Sequence, residues 1–184
     1  KAGKHGKFGF FSTEETIYRR IANELGIIKK QDDQDGVAYA RHPLVYLMEA
    51  ADDICYEIMD IEDAHKLKLL SFEETKDLLL GFFDLQTKMD ILQRIKDEDL
   101  TDENEQVVYF RACAVGKLES ECVKAFVDNE EDILAGTFEG SLIKHIPELS
   151  RKAYEACSKV SVKKIYRSKA VLDVELSGYK VMET

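Results

Sequence analysis

The 184-residue sequence contains no Trp, only 2 Pro and 10 Gly, and no apolar run approaching a membrane span. Scarce Pro and Gly exclude collagenous and low-complexity chains, and a composition 45% hydrophobic excludes a disordered one. A bilayer-crossing helix needs about 20 predominantly apolar residues, so no membrane association of that kind is expected. Nor is a secretory leader recognisable, and a soluble, cytoplasmic, helix-rich globule is the expectation. Basic charge is also short: 26 Lys and Arg stand against 36 Asp and Glu, a net of −10. That balance argues against bulk attraction to nucleic acid or to anionic lipid. The 4 Cys (Cys55, Cys113, Cys122 and Cys157) form no CxxC pair, which excludes a zinc knuckle and a disulfide framework and leaves free thiols of a reducing compartment. The length suits one domain spanning 1–184, and a start at Lys1 without Met raises the expectation of a piece of a longer protein.

Helical signals fill what is present. Ser12-Thr13-Glu14-Glu15 has the form of a capping box, and Ile17, Ile21, Ala22 and Leu25 follow at helical spacing, predicting a helix over about 13–25. Residues 29–36 have no apolar member and read as a solvated loop. Pro43 suits a first helical turn. From Leu44 the pattern stays helical to about Leu70, with Leu44, Leu47, Met48, Ala51, Cys55, Ile58 and Met59 on one face at about 100° per residue. Ser71-Phe72-Glu73-Glu74 is a second capping box, 88–100 reads as a short helix, and 101–127 reads as a long one stopped by Asp128-Asn129. Pro147 restarts a helix predicted to reach Arg167, while 170–182 fits helix or strand equally.

The helix after Pro43 carries Glu49, Asp52, Asp53, Glu57, Asp60, Glu62 and Asp63, with no Lys or Arg between Leu44 and His65. Like charges at i,i+4 destabilise a helix, so this stripe requires compensation. Asp52, Tyr56 and Asp60 stand at i, i+4 and i+8, stacking a carboxylate, a phenol and a second carboxylate along one face. Such a row suits a cation or a hydroxyl-rich ligand, since carboxylates are hard ligands for Mg²⁺ or Mn²⁺ and Tyr offers a flat face and a donor. A solvated acidic face paired with cations from neighbouring helices is the other reading.

The remaining candidates are weaker. No HExxH or His-Asp dipeptide occurs, and His42 is the one His near the acidic helix. Lys1 to Gly9 holds three Lys, three Gly and no acid, a composition suited to phosphate through Lys4 and Lys7, or simply to a frayed terminus. No G-x-S-x-G occurs, so nucleophilic catalysis has little support, and Tyr166-Arg167-Ser168-Lys169 reads as a basic helix end or as a reach toward a triphosphate.

The run Tyr39-Ala40-Arg41-His42-Pro43-Leu44-Val45-Tyr46-Leu47-Met48-Glu49-Ala50-Ala51-Asp52-Asp53-Ile54-Cys55-Tyr56, continued by Ile61-Glu62-Asp63, resembles the dGTPase-like deoxynucleoside triphosphate triphosphohydrolases of the HD phosphohydrolase superfamily. Lys7 to Glu14, Ile165-Tyr166 and Gly178-Tyr179 are similar to flanking stretches of that family. The resemblance implies an all-α fold and hydrolysis of a dNTP to deoxynucleoside and triphosphate. It also implies a divalent metal ion, Mg²⁺ or Mn²⁺, with Asp52 as the last of its ligands and Asp53 as the alternative. Tyr56 would pack on the deoxyribose, and Asp60 would face its 3′-hydroxyl. Arg41, Lys4, Lys7 and Arg167 are candidates for triphosphate contact. The family's His and His-Asp ligands and its catalytic His and acid lie upstream of these motifs and are absent here. No catalytic residue is therefore assigned within this sequence, which reads as the later portion of a longer enzyme and on its own is expected to be inactive. A homo-oligomer, a regulatory nucleotide or single-stranded DNA are the partners implied. The alternative is a helical portion serving oligomer contacts and regulatory nucleotide binding without catalysis of its own.

Overall fold

A computed structural model describes residues 10–33 and 36–183, except the side chains of Asp33 and Ala170. A 3₁₀ turn at Ser12–Glu14 leads into α1 (Glu15–Glu24), and a hairpin of β1 (Lys29–Asp33) and β2 (Gly36–Tyr39) follows. Then come α2 (Pro43–Lys66), α3 (Phe72–Leu80), α4 (Leu85–Asp97), α5 (Glu103–Asp128) and α6 (Glu130–Leu134). A 3₁₀ turn at Leu142–His145, α7 (Glu148–Val160), a π turn at Ser161–Ile165 and α8 (Lys169–Met182) complete the chain. The fold is all-α apart from the hairpin. Among the described residues, no helix is long and apolar enough to cross a membrane.

Local chemistry explains most boundaries. Ser71 Oγ accepts from Glu74 N–H while the Glu74 carboxylate accepts from Ser71 N–H at 3.0 Å, the reciprocal bonding that the S-x-x-E signature predicts. With Lys164 also donating to it, the Glu74 carboxyl is lowered to about 2. Asp84 and Asp102 cap α4 and α5 by accepting from Thr87 N–H (2.9 Å) and Asn104 N–H (2.8 Å). With Asp84 as its cap, α4 begins at Leu85, three residues before the predicted 88. Pro43 occupies the first turn of α2, and His42 Nδ1 accepts from Leu44 N–H at 3.2 Å. The final segment resolves as helix.

Three expectations are corrected. Ser12 does not cap α1: the chain enters through a 3₁₀ turn in which Glu14 accepts from Phe11 N–H at 3.0 Å, and Glu15 pairs with Arg19. The polar stretch read as a loop contains β1, antiparallel to β2 with Gln31 opposite Ala38 and Asp32 opposite Val37. Backbone pairing and the bidentate Arg19–Asp32 bonds (2.8 and 2.9 Å) hold this strand, so it needs no apolar alternation. The helix after Pro147 stops being α-helical at Val160 and gives way to the π turn.

The core lies between α2 and α5, closed by α3 and α7. Tyr46, Ala50, Ile54, Ile58 and Ile61 of α2 meet Val107, Phe110, Ala114, Leu118 and Cys122 of α5. Leu79, Phe82, Phe138, Leu142, Ala153 and Cys157 fill the ends. No described side chain of α8 is buried.

Candidate metal and sugar site on helix α2

The buried face of α2 is turned roughly a third of a turn from the predicted one. Of the predicted apolar face, only Ile58 is fully buried and Leu47 half-buried. Leu44 (58%), Met48 (68%) and Met59 (46%) are exposed, together with Ala51 and Cys55. The physical reason lies in the acids. The sequence pattern assigns them all to solvent, whereas Glu57 and Glu62 turn inward beside Tyr46, Ala50, Ile54 and Ile61, which form the true core face.

The acidic stripe is compensated both from α2 and its entry and from other elements. Arg41 pairs with Glu49 and lies 5.6 Å from the Tyr46 ring centroid. Buried Glu62 receives Lys66 at 2.6 Å from its own helix and Arg111 at 2.9 Å from α5. Glu57, 8% exposed, accepts the Ser161 hydroxyl at 2.8 Å. Asp60, half-buried, accepts the Tyr166 hydroxyl. The Tyr154 hydroxyl donates to the Asp53 backbone carbonyl at 3.1 Å. Asp52 is different. It is exposed, and among the described residues no hydrogen bond or ion pair engages its carboxylate.

Asp52, Tyr56 and Asp60 therefore share one side of α2 and differ in state: an unengaged carboxylate, a phenol 71% exposed, and a carboxylate held by Tyr166. Tyr166 is the residue the candidate row missed. Its signal was present in the Ile165-Tyr166 resemblance, but the pairing spans 106 positions and no local pattern shows it. The Asp60 hydrogen bond, with burial, pushes the Tyr166 phenol well above its ordinary value, so it stays a protonated donor. Arg167 is exposed one residue beyond. His42, the His nearest the acidic helix, is engaged as its N-terminal cap. Lys4 and Lys7 lie outside the described residues.

The site is a surface rather than a cavity. Clefts of about 610 and 580 Å³ are lined by His65, Ser71, Phe72 and Glu74 and by Lys76, Leu92, Lys96 and Gln106, and neither contains Asp52 or Tyr56. Asp52 fits the role of one hard oxygen ligand for a divalent ion. Among the described residues, no three His, Cys, Asp or Glu side chains converge so as to hold a metal. Thiol chemistry has no foothold in the core, since burial pushes Cys122 up to about 11 and Cys157 up to about 12.

Burial raises the Glu57 carboxyl above its ordinary value, against the lowering effect of the Ser161 and Ser158 hydroxyls. A carboxyl that holds its proton more tightly when folded costs stability as pH rises from the ordinary glutamate value of 4.5 through the raised one. Glu57→Gln, which keeps an acceptor, is therefore expected to raise the urea midpoint at pH 7 relative to the wild type, the difference vanishing below pH 4.5. An equal difference at both pH values would contradict a charged cost at Glu57.

No family model matches the chain. A deoxyguanosinetriphosphate triphosphohydrolase-like protein of Pseudomonas aeruginosa is 32% identical over 182 residues, 98% of this chain and 39% of its own length. Its counterpart in Synechocystis sp. is 33% identical over 183 residues, 96% of this chain and 37% of its own. The chain is similar to the deoxyguanosinetriphosphate triphosphohydrolases along nearly its whole length. A deoxyguanosinetriphosphate triphosphohydrolase of Yersinia pestis, 27% identical over 186 residues, extends the similarity to a protein named for the activity itself. The chain spans 35–39% of the length of these triphosphohydrolase relatives.

Proposed function

We propose that this chain is the later portion of a metal-dependent dNTP triphosphohydrolase, cleaving a dNTP to deoxynucleoside and triphosphate, and that α2 supplies one wall of its active site. The observation that carries the reading is the exposed Asp52 carboxylate, unengaged among the described residues, beside exposed Tyr56 on a helix whose buried acids Glu57 and Glu62 are compensated. An exposed carboxylate flanked by exposed Met48, Cys55 and Met59 suits a face that the rest of a larger protein covers. The relatives carry more than as much chain again as this one spans, which is room for the missing His and Asp ligands.

In this reading Asp52 holds the ion together with ligands from outside the chain, Tyr56 lies against the deoxyribose, and Asp60 receives the 3′-hydroxyl. Mg²⁺ or Mn²⁺, when bound, supplies positive charge against the α-phosphate and the attacking water. Arg167 and, after release from Glu49, Arg41 are the described cations available to a triphosphate; Lys4 and Lys7 complete the proposed set. Tyr56→Ala in the full-length protein is expected to raise KM about tenfold or more with a smaller change in kcat, because a ring stacked on a sugar contributes binding. Unchanged KM and kcat would remove Tyr56 from the pocket.

The second reading, helices for contacts between copies and for regulatory nucleotide or single-stranded DNA, is favoured by bare apolar side chains on two other helices. Ile17, Ile21 and Leu25 at α1 and Val174, Leu176 and Met182 on α8 are all at least 42% exposed. Both readings hold together in a homo-oligomeric enzyme.

A further inference from the structure

The π turn at Ser161–Ile165 is closed by Tyr166 N–H donating to Ser161 C=O at 3.0 Å. Its sequence, Ser-Val-Lys-Lys-Ile, has no Pro or Gly to force a departure from the α-helix. Widened turns of this kind are rare and concentrate at functional sites, so something outside the turn holds it. Two side-chain bonds to α2 do so. The Ser161 hydroxyl, fully buried, donates to Glu57 Oε1 at 2.8 Å, and the Tyr166 hydroxyl donates to Asp60.

The spacing on the two sides matches only in a π turn. Glu57 and Asp60 are three residues apart on α2, about 60° around its axis. Ser161 and Tyr166 are five apart, which in a continuous α-helix would set them about 140° apart and aim one of them away. An i→i+5 turn brings residues five apart back toward one side, so both hydroxyls reach the same edge of α2. Around Glu57 stand Ser158, Tyr154, Cys157 and Tyr166 from the opposing elements and Asp53 and Asp60 from its own. The Glu57–Ser161 bond is thus the buried half of a clasp whose exposed half is Asp60–Tyr166.

We propose that Glu57 and Ser161 are positioning residues: they hold the π turn in register, and the turn sets the Tyr166 hydroxyl on Asp60 so that the carboxylate faces the sugar in one orientation. A carboxylate has about four acceptor positions, so the Tyr166 bond leaves Asp60 free to accept a 3′-hydroxyl as well. The inference rests on the reading of Asp60 as the acid of the sugar pocket.

The test combines two readouts on Ser161→Ala and Glu57→Leu, which break the buried bond, and on Ser161→Thr and Glu57→Gln, which keep a donor and an acceptor. The first is amide hydrogen exchange over 161–166 in this chain, read at the Tyr166 N–H. The second is the ratio of kcat/KM for a dNTP to that for its 2′,3′-dideoxy counterpart, measured on the full-length protein. The breaking variants are expected to lose Tyr166 protection and to lower the ratio about tenfold, the value of one hydrogen bond to a charged group. The conservative pair should retain both. A breaking variant with wild-type protection and ratio overturns the inference, as does equal loss of activity on both nucleotides. A wild-type protein that does not distinguish the two nucleotides overturns the Asp60 reading and the inference with it.

Discussion

Asp52→Ala in the full-length protein is expected to abolish metal-dependent triphosphate release, by more than about a hundredfold, and to leave the fold untouched. Loss of a group that merely supports a metal ligand already costs about 10–100-fold, and Asp52 is proposed to bind the ion itself. The fold should not respond, because the carboxylate is exposed and unengaged among the described residues and Ala is the better helix former. The unfolding free energy should stay within about 0.5 kcal/mol of the wild type. Measuring triphosphate release and urea denaturation on one preparation checks both halves. Wild-type turnover would refute the ligand assignment. A large loss of stability would show Asp52 to be a structural residue instead.

Phe110→Ala is expected to produce the opposite pattern, a destabilisation of about 3–5 kcal/mol. Phe110 is fully buried where α5 crosses α2, with the Phe72 ring 6.5 Å away, centroid to centroid. Truncation leaves a cavity that two long helices cannot close without shifting their shared interface. A domain holding about 5–15 kcal/mol in total would lose a large share of it. Urea denaturation followed by circular dichroism measures this, and a change under about 1 kcal/mol would mean that the α2–α5 interface is not the core of the fold.

What could be read from the sequence was local. The Ser71 and Glu74 reciprocal cap, the Pro43 start of α2 and the Asp128-Asn129 stop of α5 each depend on residues within a turn of one another, and each is where its signature places it. The six buried positions of α5 follow the helical period because that face packs on α2 and α3 within this chain. On α2 the same rule gave the wrong face. Leu44, Met48, Cys55 and Met59 are as apolar as the true core residues but stay exposed, while Glu57 and Glu62 are carried inward by Ser161 and Arg111. Periodicity counts apolar side chains and does not register a partner 104 positions away. The hairpin was invisible for a related reason, since β1 has no apolar residue to alternate. The π turn was hidden because Ser161–Ile165 reads as ordinary helix until Glu57 and Asp60 are seen opposite it.

The row Asp52, Tyr56 and Asp60 was legible as spacing, and its meaning changed once the neighbours were known. Glu49 and Glu62 are paired with cations, as the acidic-face reading expects, Glu57 and Asp60 accept hydroxyls, and Asp52 has no partner among the described residues. In the proposed function Asp52 is the carboxylate left for the ion.

The central claim is that this side of α2 is part of a metal-dependent triphosphohydrolase site. It is tested most directly by incubating the full-length protein with each dNTP and Mg²⁺ or Mn²⁺ and identifying both products. The expected result is one intact triphosphate per deoxynucleoside, stopped by a chelator and restored by the ion. Release of pyrophosphate or single phosphate, or turnover that persists under chelation, would contradict it.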